Sequence, residues 1–376
     1  MSLLAAQTGL LQALDQRGRR RVLAPATGAD FASNDYLGLA GSALLRDLAL
    51  AALQRGVPPG AGAARLLRGN HDAFSGLETE AAAHFGAQAA LYFGSGYAAN
   101  LAILSALPAA RDLVLHDARI HASSLDGLRL GPATAQGFAH NDLTAAEAAI
   151  AAWRGAGGRG QVWIAIESLY SMDGTFAPVA DFAALAIRED AFLIVDEAHA
   201  TGIWGQEGRG LAAPFAAHKH LISLHTCGKA LGVQGALVCG ARPLIDLLLN
   251  RARSFIYSTA PSPLCAEILR GVLAHLARDP SRRIALQARV VRMADLARGI
   301  GLPASPSQIL PIILPGDARV LAAATSLQAL GFDLRAIRAP TVAKGQERLR
   351  LSLTLNPDDG ELEALFATLP AELGLP

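Results

Sequence analysis

The chain has 376 residues, 52% of them hydrophobic and 17% charged, with 33 basic and 32 acidic side chains and a formal net charge of +1. That length and apolar content supply a large core and, at ordinary domain sizes, two or three domains. A balanced charge leaves no electrostatic footprint for nucleic acid or an anionic membrane, so small molecules and like subunits are the expected partners.

The N-terminus, MSLLAAQTGLLQALDQRGRRR, reads as a short amphipathic helix followed by a basic run, Arg19 to Arg21, that forms a solvated face. Basic residues after the apolar part are the reverse of a secretory signal. Polar residues also interrupt every apolar run before the 18 or so residues that a spanning helix needs, and a cytoplasmic protein is expected. FASNDYLGL then marks a turn. From about Leu91 to Cys239, the runs ALYF, DLVLH, QVWIAI, AFLIV, LISLH and ALVC alternate with Ala/Leu-rich helical stretches. Six strands in such alternation predict a mostly parallel, doubly wound sheet of the α/β class. From about Arg251, helices are followed by ILPIILP and ERLRLSLT, which predicts a second, smaller C-terminal domain. Cys227, Cys239 and Cys265 have no paired metal spacing and are too few for a disulfide framework. They read as structural filler, and no metal site is expected.

In open α/β sheets ligands bind beyond the carboxyl ends of the strands, so the residues there carry the functional argument. After ALYF comes Gly94-Ser95-Gly96-Tyr97 and a helix from near Ala98, a turn whose free N–H groups and positive dipole end suit a phosphate. Asp117 and His121 follow DLVLH; Glu167, Ser168 and Ser171 follow QVWIAI; Asp196 and His199 follow AFLIV; Thr226 and Lys229 follow LISLH. Taken singly, each has a structural reading. Asp196 would serve as a helix N-cap, the histidines as hydrogen-bonded core groups, the glycines as a tight turn and Lys229 as a solvated charge. Their convergence on one sheet edge favours a site, because independent structural roles would not require it.

Two strings compete. G-S-G-Y-A-A with Asp117 at the next strand end approximates a dinucleotide fingerprint, which would make the chain an NAD-binding oxidoreductase. That fingerprint normally opens its domain, and here some ninety residues precede it. Asp196-Glu197-Ala198-His199 spells a helicase box, but no G-x-x-x-x-G-K-[ST] loop accompanies it.

The ordered motifs SNDYLGLA, RLLRGNHDAFSGLE, YFGSGYAAN, IHASS, AHNDL, SLYSMDG, VDEAHATGIWGQEGRG, HTCGKALGVQGA, FIYSTAPSP and PTVAKGQERLRLSLT span nearly the whole chain. Together they resemble the α-oxoamine synthase group of fold-type-I pyridoxal 5'-phosphate (PLP) enzymes. The resemblance implies an N-terminal segment over 1–40 that packs with the small domain. It implies a large PLP-binding domain over 41–255, with a doubly wound, mostly parallel seven-stranded sheet, and a small α+β domain over 256–376. It also implies a homodimer with active sites at the subunit interface. Lys229 then resembles the Schiff-base lysine, Asp196 the partner of the pyridine nitrogen, His199 the neighbour of the phenolic oxygen and His121 the imidazole stacked on the ring. Gly96, Tyr97, Ser171 and Thr226 match the remaining cofactor positions; Arg19, His121 and Thr341 match substrate contacts. An opposite charge beside the pyridine nitrogen keeps it protonated, and a lysine must lose its charge to act as nucleophile. The small residues Cys227, Gly228 and Gly232 are expected to leave room for a flat ring.

RLLRGNHDAF and HTCGKALGVQGA are most similar to the biotin-biosynthesis members of the group. The implied reaction condenses L-alanine with a pimeloyl thioester, pimeloyl-CoA or pimeloyl-acyl carrier protein, to give 8-amino-7-oxononanoate, CO2 and free thiol. The alternatives are a sister synthase of the glycine C-acetyltransferase, aminolevulinate synthase or serine palmitoyltransferase type and, from another class, the NAD-binding oxidoreductase.

Overall fold

A computed structural model describes residues 3–23 and 25–374. They fall into two compact units, one built on Asn34–Arg289 and the other on the two ends of the chain, up to Ser33 and from Val290. The strands in chain order are β1 (Ala29–Asp30), β2 (Ala89–Phe93), β3 (Leu113–Asp117), β4 (Thr134–Phe138), β5 (Val162–Glu167), β6 (Phe192–Asp196), β7 (Leu221–Thr226), β8 (Ala236–Gly240), β9 (Ile309–Ile313), β10 (Phe332–Asp333), β11 (Arg335–Ile337) and β12 (Arg348–Ser352).

The larger unit holds a seven-stranded sheet in the order β2-β8-β7-β6-β5-β3-β4. β8 runs antiparallel to both its neighbours, and the other pairs are parallel. The strands read as unbroken apolar runs because helices cover both faces of the sheet. Successive residues alternate between two cores. Val114, Trp163, Ala165, Ile194 and Ile222 pack on one face with Ile103, while Leu113, Leu115, Ile164, Leu193 and Leu221 pack on the other with Phe182. Each large side chain buried in this way stabilises the fold by about 1.5–3 kcal/mol.

Six of the seven strands were anticipated as apolar runs, and β4, TAQGF, was not. It is an outer strand with Thr134 to Gly137 exposed, so it carries no apolar signature.

The first five helices are α1 (Ala5–Gln16), which belongs to the smaller unit, and α2 (Ala43–Gln54), α3 (Asp72–Phe85), α4 (Gly96–Ala106) and α5 (Ala122–Leu130) in the larger one. α4 starts at Gly96, two residues before the expected position, because Ser95 caps it by accepting a hydrogen bond from Ala98 N–H. α5 lies close against α4 at Gly127, where a Cβ would stand 2.9 Å from Leu104 Cβ and 3.0 Å from the Asn100 carbonyl oxygen. Glycine there lets the two helices meet backbone to backbone.

In the smaller unit β1 pairs in parallel with β10, and β11, β12 and β9 form an antiparallel sheet. Its C-terminal helix, Asp359–Leu373, begins at a capping box between Asp358 and Glu361 and buries Leu362, Leu365, Phe366 and Leu369. Among the described residues no helix is long and apolar enough to cross a membrane.

Candidate active site

Loops after five strands of the large sheet surround a cavity of about 200 Å³. Gly96, Tyr97, His121, Asp196, His199, Thr226 and Lys229 all line it, so seven of the eight expected cofactor positions meet at one place. The eighth, Ser171, is joined to the lining through its N–H, which donates to Oε2 of the lining residue Glu167 at 3.2 Å.

Lys229 sits half-buried in the turn after β7. Its Nζ is 2.8 Å from His199 Nε2, and His199 Nδ1 is 2.6 Å from the Tyr36 hydroxyl. This row accommodates either protonation state of the lysine. A charged Lys229 donates to Nε2, which leaves the proton on Nδ1 to be donated to Tyr36; the Tyr36 hydroxyl then donates to Asn34 Oδ1 at 3.0 Å. A neutral Lys229 accepts from Nε2–H, and Tyr36 donates to Nδ1. A charged lysine therefore fixes the proton of a neutral His199 on Nδ1, whereas a neutral amine, which both donates and accepts, fits either tautomer.

Asp196 is not the helix N-cap that a strand-end aspartate usually is, since β6 runs into a turn rather than a helix. Its Oδ1 accepts from Ala198 N–H at 2.9 Å and its Oδ2 from Asn100 Nδ2 at 2.8 Å, which fixes the carboxylate facing the cavity. Asn100 Nδ2 also lies 3.1 Å from Ser123 Oγ, and Ser123 Oγ is 2.7 Å from His121 Nδ1. His121 is both N-cap and cavity residue: its Nδ1 accepts from Ser123 N–H at 3.2 Å. An accepting Nδ1 places the proton of the neutral ring on Nε2. Burial favours that neutral ring by lowering the His121 pKa, against the opposing pull of Asp196.

At the N-terminus of α4, a Cβ added to Gly96 would meet Thr226 Oγ1 at 2.6 Å. The pair therefore forms a cradle of free helix N–H groups and a hydroxyl, which suits a phosphate. Tyr97 turns its hydroxyl to Asp126. Glu167, buried beside Asp196, has its carboxyl pushed well above the usual range by desolvation and by the charge of Asp196.

The small residues around Lys229 serve the backbone more than a ring. Gly232 has φ of 68° and lies where a Cβ would approach Leu39 Cβ at 2.8 Å, while Cys227 is fully buried. Only at Gly228 would a Cβ meet nothing within 4 Å.

Asp117, the acidic residue a dinucleotide site would need, is spent internally. It is fully buried and accepts from His140 Nδ1, Arg119 N–H and Asn141 N–H at 3.1, 2.8 and 2.7 Å. Glu197 of the helicase-like string is likewise internal, accepting from Ser168 Oγ at 2.6 Å and Ala212 N–H at 2.5 Å.

Asn100, Ser123 and Tyr36 are site residues that the sequence reading does not single out, whereas Glu167 stands among its strand-end residues but has no role assigned there. Asn100 had a signal, being the polar residue in the middle of the otherwise apolar run AANLAIL. In the smaller unit Arg19 and Thr341 line another cavity, of about 860 Å³, with Leu11, Leu14 and Arg338; Arg19 Nε is 3.4 Å from Asp317 Oδ2.

Residues 26–369 match the family model for aminotransferase class I and II, the class defined by this sheet and its strand-end lysine, and the chain belongs to that family. It is similar in fold to the Sphingomonas wittichii serine palmitoyltransferase, with TM-score 0.89 and 24% identity over the whole of both chains. It is also similar to the 8-amino-7-oxononanoate synthase from Francisella tularensis, with TM-score 0.77 and 27% identity over 92% of this chain and 98% of that one. Chains named 8-amino-7-oxononanoate synthase from Anaeromyxobacter dehalogenans strain 2CP-1 and Acidithiobacillus ferrooxidans are each 42% identical, covering 96% and 90% of this chain and 94% and 86% of their own. Within the family, then, the chain stands among the 8-amino-7-oxononanoate synthases, PLP-dependent acyltransferases of biotin biosynthesis.

Proposed function

We propose that the cavity binds PLP and joins L-alanine to a pimeloyl thioester, carried on CoA or an acyl carrier protein, with loss of CO2 and thiol to give 8-amino-7-oxononanoate. The observation that carries this is the 2.8 Å contact of Lys229 Nζ with His199 in the same cavity as the doubly fixed carboxylate of Asp196. The residues present fit the group: the Gly96–Thr226 cradle would be closed by any Cβ, and Glu167 Oε1 is a buried polar atom with no partner.

PLP supplies an electron sink for the carbanion formed at the alanine Cα. Lys229 would hold it covalently through Nζ, Asp196 would keep its pyridine nitrogen protonated, and His199 and His121 would flank the ring. Gly96, Tyr97, Thr226 and Ser171 would hold the rest. Once neutral and released, Lys229 Nζ removes the Cα proton of alanine and later returns a proton to the same carbon, using one amine as nucleophile and base. His199 can accept from a charged Nζ and donate to a neutral one, so it suits either state of the lysine. His121, with its proton on Nε2, is a hydrogen-bond donor for the thioester carbonyl. Arg19 and Thr341 are the substrate contacts assigned to the smaller unit. We assign PLP binding to 41–255, with 1–40 and 256–376 as the N-terminal and C-terminal parts of a cytoplasmic homodimer.

The test is the visible spectrum of the purified protein with and without L-alanine, followed by product mass after pimeloyl-CoA is added. A yellow protein whose spectrum responds to alanine and whose product has the mass of 8-amino-7-oxononanoate is expected. Lys229→Ala should bind PLP noncovalently, carry no borohydride-fixed tag and have no turnover. Thiol release with glycine alone, or a colourless protein that binds NAD, would overturn the reading.

A further inference from the structure

Glu167 ends β5 and is the register partner of Asp196 at the end of β6, so two carboxyl groups stand side by side on neighbouring strands and both line the cavity. Their surroundings differ. Both oxygens of Asp196 accept strong donors, Ala198 N–H and Asn100 Nδ2. Glu167, only 3% exposed, has one oxygen satisfied by Ser171 N–H, while its Oε1 is buried without a partner. Adjacent carboxylates in a dry site do not both ionise, and the one with fewer donors keeps its proton. Asp196 and Asp117 push Glu167 the same way, whereas Lys229 opposes them, and desolvation is the largest influence. The proton then belongs on Oε1, the oxygen that no donor serves. A buried O–H lacking an acceptor is costly, and such groups are normally matched by protein, water or ligand.

We propose that Glu167 is a further cofactor-directed residue of this site: a neutral carboxyl whose Oε1–H donates a hydrogen bond to an acceptor atom of the bound PLP. It complements Asp196, whose two oxygens are already held by Ala198 N–H and Asn100 Nδ2, by offering a donor beside them. The inference rests on the PLP reading above and adds a second acid to it. The Ser171 segment then has a definite task, since its N–H anchors Oε2 and leaves Oε1 as the oxygen without a partner.

The experiment compares wild type with Glu167→Gln, which keeps a neutral N–H donor at this position, and Glu167→Met, which keeps the volume and removes the donor. Two quantities are read: the PLP dissociation constant of the apoprotein, and the pH midpoint of the visible band of the loaded protein. E167Q should match wild type within about threefold in affinity and keep its midpoint, while E167M should bind PLP roughly tenfold more weakly and shift the midpoint. E167M equal to wild type in both, or E167Q as impaired as E167M, overturns the proposal. Should E167M fail to give a cooperative melt, E167Q alone decides: an unchanged midpoint supports a neutral donor and a shifted one refutes it. If wild type itself binds no PLP, the reading of the site has failed; if wild type binds and E167M is indistinguishable from it, only the role of Glu167 has.

Discussion

Asn100 Nδ2 lies 2.8 Å from Asp196 Oδ2, so an amide on the first helix after β2 clamps a carboxylate that the chain reaches only at the end of β6. The same nitrogen touches Ser123 Oγ, the hydroxyl that holds His121. Asp196, and His121 through Ser123, are therefore tied to a single side chain.

Asn100→Ala should leave Asp196 Oδ2 short of a buried donor, a loss of about 1–3 kcal/mol. A PLP titration of the apoprotein should show affinity reduced roughly tenfold. Asn100→Asp should be worse, because it adds a like charge beside Asp196. Unchanged affinity in both variants would show that the clamp carries no energy.

His121→Asn should keep PLP binding while slowing condensation by about a hundredfold, the low end of what a positioned proton-bearing group contributes. Single-turnover thiol release, measured beside the visible spectrum, separates the two. A normal rate with only an altered spectrum would reduce His121 to a ring neighbour.

Gly96→Ala brings a Cβ to 2.6 Å from Thr226 Oγ1, whereas the Thr226 Cβ and Cγ2 are 3.7 Å away. Rotating the threonine relieves the clash but turns its hydroxyl out of the cradle. The melting temperature of the apoprotein should thus change little, while PLP affinity falls about tenfold or more through the lost hydrogen bond and the crowded helix N-terminus. A large drop in melting temperature would mean that the threonine cannot rotate.

Two buried groups give stability opposite responses to acid. His225, stacked on Phe85 at 3.6 Å and hydrogen-bonded to Thr201 and Ser223, has its pKa lowered from 6.5 to about 3 by burial. Below pH 6.5 the unfolded chain takes up this proton and the fold does not, so stability is lost as pH falls from 6.5 towards about 3. Glu197 is raised from 4.5 to about 7 by burial, so the fold takes up its proton first and stability is gained as pH falls from about 7 to 4.5. Urea unfolding of the apoprotein at pH 7 and pH 5 should show His225→Gln less sensitive to acid than wild type and Glu197→Gln more sensitive. The reverse order would refute both assignments.

The strands that carry the site were legible because both faces of the sheet are covered, which writes them as apolar runs, and because Asp196 and Lys229 interrupt that pattern just where a run ends. β4 escaped notice for the converse reason, its outer position leaving Thr134 to Gly137 in solvent. Ser123 and Tyr36 could not be read ahead. Their roles depend on which side chain lies opposite, and for Ser123 on the close contact of α4 and α5 at Gly127. Gly232 shows the risk in reading small residues as ring clearance, since its φ of 68° answers to the turn.

The place of β8 between β2 and β7 has a consequence for biosynthesis. β2 is made early, yet its partner in the sheet is β8, with Ala89 aligned to Gly240. Gly96, just beyond β2, therefore has no finished support until most of the larger unit has left the ribosome, and Lys229 emerges only shortly before β8. A nascent chain stalled before β8 should be unable to capture cofactor. The appearance of yellow colour on ribosome-bound chains of increasing length would then act as a clock for the moment when this sheet closes.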